Sequence, residues 1–191
     1  MHGGNILNSK HKVLPDTILN FWFKELTPNQ WWIKTDELDQ IIESRFGDVH
    51  NAANRCELHS WRITAAGRLA EIIILDQFSR NIYRDNPKAF ASDNLALALA
   101  QTAVAAKADI ELNDLQRSFL YIPYMHSESA KIHEIAIKLF SQKGMGKNLE
   151  FELSHKKIID RFGRYPHRNA ILGRQSTTEE IEFLKTAGSS F

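Results

Sequence analysis

Ser92-Asp93-Asn94-Leu95-Ala96-Leu97-Ala98-Leu99-Ala100-Gln101-Thr102-Ala103-Val104-Ala105-Ala106-Lys107 is the clearest helix in the chain. Alanine and leucine, both strong helix formers, continue for about three turns behind a Ser or Asp cap. Downstream, Asn113 or Asp114 opens a helix from Leu115 to Ile122, which Pro123 is expected to end or bend because it has no N–H to donate. Further helices are expected at about 127–141 and 147–162, with Gly144 and Gly146 between them and Gly163 and Pro166 after the second. Ser176-Thr177-Thr178-Glu179-Glu180 then fits a capping box before Ile181, Phe183 and Leu184. Upstream, a short helix starts at Pro15 and ends at Pro28; another starts at Thr35 and is expected to break or kink at Gly47. A short helix over Val49–Cys56, carrying Cys56 as a small helix residue, and a helix capped by Thr64 running toward Asp76 complete the reading. Alternating strand patterns are absent, so the expected fold is all-α, an array of antiparallel helical hairpins with short connections.

The composition agrees with an ordinary soluble domain. Of 191 residues, 43% are hydrophobic and 10% aromatic, with 24 basic against 23 acidic side chains. Disordered and collagen-like classes are excluded. A chain of this size buries roughly 70% of its extended surface, enough for a core without staples. The one cysteine, Cys56, permits no intrachain disulfide, which points to a reducing, cytoplasmic setting. A net charge of +1 gives no general attraction to nucleic acid or acidic membranes. Apolar runs such as Ile72-Ile73-Ile74-Leu75 fall far short of the ~20 residues that span a bilayer. Residues 1–12 lack the apolar core of a secretory signal and are expected to form a mobile leader, with 13–191 as a single all-helical domain.

Three polar clusters stand out against this background. In the first, Asp76 follows Ile72 and Ile73 on their own apolar face, Arg80 comes one turn later, and Arg84 one turn further if the helix persists. Such a stripe serves either as a buried ion network that fixes a helix or as an anion-binding wall of arginine forks. In the second, Arg117 and Tyr121 share a helix face, and a turn at Pro123 would aim His126 and Glu128 into a cleft. His126 and Glu128 fit an acid/base pair, and equally Ser127 fits a helix cap with Glu128 answering the dipole. The third, His155 to Arg174, holds six basic residues against Asp160 alone. There His155 sits on the apolar side of its helix, and Gly163 and Pro166 fold Arg161, Arg164, His167, Arg168 and Asn169 into a tight loop. A solvated basic surface and a holder of something planar or anionic both fit it. Trp22, Trp31, Trp32 and Trp61 read as packing residues, although adjacent Trp31 and Trp32 cannot both face inward.

Familiar chemical signatures are missing: no His-Glu-x-x-His, nucleophile elbow, phosphate loop or dinucleotide fingerprint occurs. His126 and His133 stand seven residues apart, about 10 Å along a helix and too far to share a metal, so none is assigned. No cofactor is indicated.

The motifs Phe21-Trp22-Phe23, Trp31-Trp32, Leu75-Asp76-Gln77-Phe78-Ser79-Arg80-Asn81, Phe119-Leu120-Tyr121-x-Pro123 with His126-Ser127-Glu128, and Arg161 through Asn169 together resemble a widespread bacterial family, domain of unknown function 924. The resemblance covers nearly the whole chain after the leader. It implies an all-helical, tetratricopeptide-like superhelix and supplies no reaction. Two departures from the family pattern are Ser79, where proline is common, and His133, where glutamine is common; His133 is therefore left out of the site.

The expected site gathers Asp76, Arg80, Arg84, Arg117, Tyr121, His126, Glu128, His155, Arg161, Arg164, His167, Arg168 and Asn169 in one cleft for a phosphate- or carboxylate-bearing small molecule. A catalytic version would use His126 or His155 for proton exchange. The alternative is an interaction domain whose concave groove takes an acidic peptide or a C-terminus. Nucleic acid is not expected as a partner.

Overall fold

The apolar run leading to Asp76 forms the centre of the molecule. A computed structural model describes residues 13–190; the expected leader, residues 1–12, lies outside them. Among the described residues the architecture is all-helical, with α1 (Pro15–Asn20), α2 (Asp36–Asn54), α3 (Ala65–Ile73), α4 (Ser79–Ile82), α5 (Asp93–Ala105), α6 (Asp114–Met125), α7 (Ala130–Phe140), α8 (Asn148–Phe162) and α9 (Thr178–Leu184). The helix α3 continues through a π-helical turn, Ile74–Phe78, into α4. Leu69, Ile72, Ile73, Ile74, Leu75 and Phe78 are all fully buried, as expected of a helix apolar nearly all round. Around it, α3 packs on α1, α5 and α6, and the π turn packs on α2 and α5. From α5 onward each helix packs against the next as far as α8. A small separate cluster of Ile158, Ile159 and Tyr165, joined by Phe162 and Phe183, ties α8 to α9.

Caps follow the sequence closely. Thr35 accepts from Leu38 N–H, Thr64 from Gly67 N–H, and Asn113 and Thr177 each complete a capping box. Gly163, at φ +67°, ends α8 in the left-handed conformation. Gly67 has a different reason: a Cβ there would lie 2.0 Å from the Trp61 carbonyl oxygen. Trp31 is half-buried and its indole N–H donates to the Trp22 carbonyl at 2.8 Å, whereas Trp32 is exposed.

Several boundaries differ from expectation. Gly47 does not break α2, which runs on to Asn54 and absorbs most of the separate helix expected at 49–56. A Cβ at Gly47 would have nothing within 4 Å, so this glycine meets an open surface rather than a turn. Cys56 is not a helix residue but stands exposed in the following turn at φ +57°. The first helix does end before Pro28, but through a π-helical turn, Phe21–Glu25, and Pro28 itself starts a 3-10 turn. Pro123 sits inside α6, which continues to Met125. Proline is tolerated there because the bond it forfeits falls in the helix's last turn. Ser127 does not cap α7: the N-cap residue is Ser129, and the Ser127 hydroxyl accepts from Ser129 N–H at 3.2 Å.

Candidate functional site

The π turn carries Asp76, almost fully buried, to the C-terminal end of α6. There Asp76 Oδ1 and His126 Nδ1 lie 2.6 Å apart. Arg80 Nη1 approaches the same carboxylate at 3.5 Å, and the Gln77 amide donates to Oδ2. Burial opposes the charge on Asp76, but His126, Arg80 and Gln77 outweigh it and bring the carboxyl down to about 2. Burial, with the Arg80 charge, lowers the proton affinity of His126 against the pull of Asp76. At neutral pH the pair is therefore a carboxylate and a neutral imidazole, with the ring proton on Nδ1 facing Asp76. That tautomer leaves the Nε2 lone pair exposed to whatever lies in front of it, and Nε2 has no hydrogen-bond partner among the described residues.

In front of His126 is a recess of about 230 Å³. It is lined from the segment at the start of α5 by Phe90, Asp93 and Leu97, from the end of α6 and the residues after it by Pro123, His126 and Glu128, and from the loop after α8 by Arg168 and Leu172. The start of α5 forms part of this wall. Ser92 stands at its N-cap, but the Ser92 hydroxyl donates to Asn54 Oδ1 at 2.7 Å and makes no capping bond. Arg80 grips Asp93 with both Nη atoms, at 3.0 and 3.1 Å, and Arg168 Nη1 reaches the same carboxylate at 3.2 Å. The Arg168 guanidinium lies between Phe90 and Tyr165, 4.7 and 4.6 Å from their ring centres, and its buried Nε has no partner. Two guanidinium groups thus share Asp93.

The expected cleft is only partly assembled. His126, Glu128 and Arg168 line the recess, and Asp76 and Arg80 stand behind them, joined through His126 and Asp93. Glu128 is not a dipole partner for α7: it accepts from Tyr165 N–H at 2.7 Å and from both ends of the Arg174 fork at 2.6 and 2.9 Å. His155 and His167 flank Tyr165, with ring centres 5.8 and 5.6 Å away. Burial lowers both imidazoles, His155 to about 3 and His167 to about 4 with help from Arg168. Asn169 is buried and braces the loop, donating to Ser176 and Glu180 and accepting from Arg174.

The remaining candidates are committed elsewhere. Because α4 ends at Ile82, Arg84 leaves the stripe and grips Asp39 of α2, with Nη2 2.6 Å from Oδ1. Arg117 binds Asp114 and the Lys143 carbonyl, and Tyr121 donates to Asp109 at 2.6 Å. Arg161 pairs with Glu179, and Arg164 forks onto Glu180 at 2.7 and 2.8 Å. The acid that balances the basic segment therefore comes mostly from α5, α9 and the segment before α7. Sequence reasoning missed Asp93 and Tyr165, and it took Arg174 only as charge. Asp93 at the first position of a helix reads as an ordinary helix-start acid, and nothing local signals an arginine 75 residues away. Among the described residues, no group of three or more His, Cys, Asp or Glu is arranged to hold a metal ion, and no helix is long and apolar enough to cross a membrane.

Comparison with known proteins places this geometry in a family. No curated protein matches the chain. A solved structure of a protein of unknown function from Agrobacterium tumefaciens is similar, with 37% identity and a TM-score of 0.85 over 90% of this chain and 96% of that one. Residues 18–188 match the family model described as bacterial protein of unknown function, DUF924. The match spans every motif that carried the resemblance in the sequence, and the chain belongs to the DUF924 family.

Proposed function

We propose that the recess binds a small molecule bearing a carboxylate or phosphate, and that His126 exchanges a proton with it. The observation that carries this reading is the Asp76–His126 pair: a buried carboxylate fixes the ring through Nδ1, and Nε2 is left without a partner at a recess. This is the arrangement a general base requires, since the carboxylate selects the tautomer and stabilises the imidazolium that proton transfer creates. Support for an anionic ligand comes from Arg168, which lines the recess and has donors beyond the one given to Asp93 and the one given to the His126 carbonyl, and from α5, whose first turn lacks a side-chain cap where it meets the recess. Phe90, Leu97, Pro123 and Leu172 supply an apolar wall for the rest of the molecule.

An acidic peptide is the less supported occupant, because a recess of about 230 Å³ suits a metabolite better than an extended segment. In this reading residues 13–191 act as one domain, its successive hairpins stacked in the tetratricopeptide manner, and the single cysteine favours a cytoplasmic setting.

Thermal stabilisation against a panel of phosphorylated and carboxylated metabolites tests the proposal. A ligand at a hundred times its Kd stabilises the fold by about 2.7 kcal/mol, a shift of several degrees. We expect a stabilising compound whose effect disappears in His126→Asn. Stabilisation that persists in His126→Asn would remove His126 from the site, and a silent panel would pass the recess to the acidic-peptide reading.

A further inference from the structure

Behind the segment that carries His126 lies a second histidine–carboxylate pair, fully buried and remote from solvent: His133 of α7 and Glu152 of α8, with Nδ1 and Oε1 2.7 Å apart. His133 Nε2 is 2.9 Å from the Ser127 carbonyl oxygen and 3.2 Å from Tyr165 Oη. The Tyr165 hydroxyl donates its proton to the Met125 carbonyl at 2.6 Å, so its oxygen can only accept from His133. Nε2 therefore carries a proton. Nδ1 and Glu152 then hold one further proton between them, because without it a carboxylate oxygen would face a nitrogen lone pair at hydrogen-bond distance. Burial also pushes the Glu152 carboxyl up from its ordinary value, and its Oε2 has no partner.

The targets of these bonds are consecutive. Met125 O accepts from Tyr165, His126 O accepts from Arg168 Nη2 at 3.1 Å, and Ser127 O accepts from His133. Three side chains from three places in the chain thus hold three successive carbonyls, with His126 in the middle. The end of a helix leaves carbonyls unsatisfied, and water or a single cap usually suffices for them.

We propose that the proton-sharing His133–Glu152 pair is a positioning device for His126: it fixes the backbone on which the imidazole rides and so maintains its contact with Asp76. The assignment rests on the role given to His126 above. His133 and Glu152 touch neither the recess nor Asp76, and they act only through the 125–127 backbone and Tyr165. A group's proton affinity follows the geometry of its charged neighbours, and around His126 these are Asp76, Arg80, Asp93 and Arg168, with His155 and His167 further off. Loosening the backbone should therefore register in the titration of His126 itself.

The experiment is an NMR titration of the His126 ring in the full chain, comparing Glu152→Gln with Glu152→Ala. Glutamine keeps a donor toward Nδ1 and holds His133 in the same tautomer, so we expect the wild-type titration. Alanine removes the partner, and we expect the His126 titration to move by about half a pH unit or more as its contacts with Asp76 and Arg80 slacken. A folded Glu152→Ala protein with unchanged His126 titration would overturn the proposal, as would a glutamine variant that behaves like alanine. Should Glu152→Ala fail to fold, Tyr165→Phe keeps the ring but removes the Met125 bond; it must shift His126 in the same direction as His133→Gln, or the proposal fails. The titration needs no ligand, so a silent metabolite panel would sink the function proposed for the recess without touching this result.

Discussion

Asp76 and Gly67 show two ways in which a single residue is fixed by its surroundings. In Asp76→Asn the amide can donate to Nδ1, which moves the ring proton of His126 to Nε2 and abolishes the base. We expect any recess ligand that depends on a lone pair there to lose at least tenfold in affinity, measured by isothermal titration against wild type. The backbone contact at Gly67 leaves no room for adjustment, since the obstructing atom is the Trp61 carbonyl oxygen and not a flexible side chain. Gly67→Ala should cost about 2 kcal/mol or more despite the better helix propensity of alanine, read as a lower urea midpoint at unchanged m-value. The sequence announced Asp76 and Arg80 because polar residues on an apolar face violate the helical pattern, and His126 because it stands beside Glu128 just after Pro123. It did not announce Asp93, Tyr165 or Glu152, whose spacing is unremarkable and whose partners lie far along the chain.

At the scale of the element, helix starts were legible and continuations were not. Thr35, Thr64, Asn113 and Thr177 satisfy N–H groups within three residues, so local sequence is sufficient to place them. Gly47 was expected to interrupt α2 because glycine is a weak helix former in isolation, and packing of the buried Phe46, Val49 and His50 around it overrode that preference; Pro123 was expected to end or bend its helix for want of an N–H, and the missing bond falls in the last turn of α6. The same contrast sets the expected cost of losing a cap. Thr177→Ala removes half of a capping box on α9, and about 1 kcal/mol should be lost locally, seen as faster amide exchange in residues 178–184 with little change in the global midpoint. The π turn at Ile74–Phe78 escaped prediction altogether, because its wider winding leaves the apolar pattern almost intact.

For the whole molecule, burial of histidine sets the response to acid. His50, His126, His155 and His167 are all held below their ordinary proton affinity, with burial the main cause in each; His167 reaches about 4 and His155 about 3. The unfolded chain binds protons at these sites near pH 6.5 while the folded chain refuses them, so stability is full above that value and falls as pH drops toward 4. The depressed carboxyls of Asp76 and Glu180, each about 2, extend the loss below pH 4. Thermal melts at pH 7.5 and pH 5 should show the lower midpoint at pH 5, and equal midpoints would mean that these imidazoles are not secluded. The all-helical architecture was readable because it depends on periodicity; how far the polar clusters converge was not, because that depends on how α4, α5, α6 and the loop after α8 meet. The extra residue wound into the π turn has a further consequence. Deleting one residue between Ile74 and Phe78 would restore an ordinary α-helix at little cost to the backbone, yet each residue in such a helix accounts for about 100° of rotation. The stretch before the deletion would turn by that angle against the stretch after it, so that either Asp76 leaves His126 or Arg80 leaves Asp76, and a shortened chain could fold well and still lack the cluster, which makes this insertion a point where inheritance of the fold and inheritance of the chemistry can part.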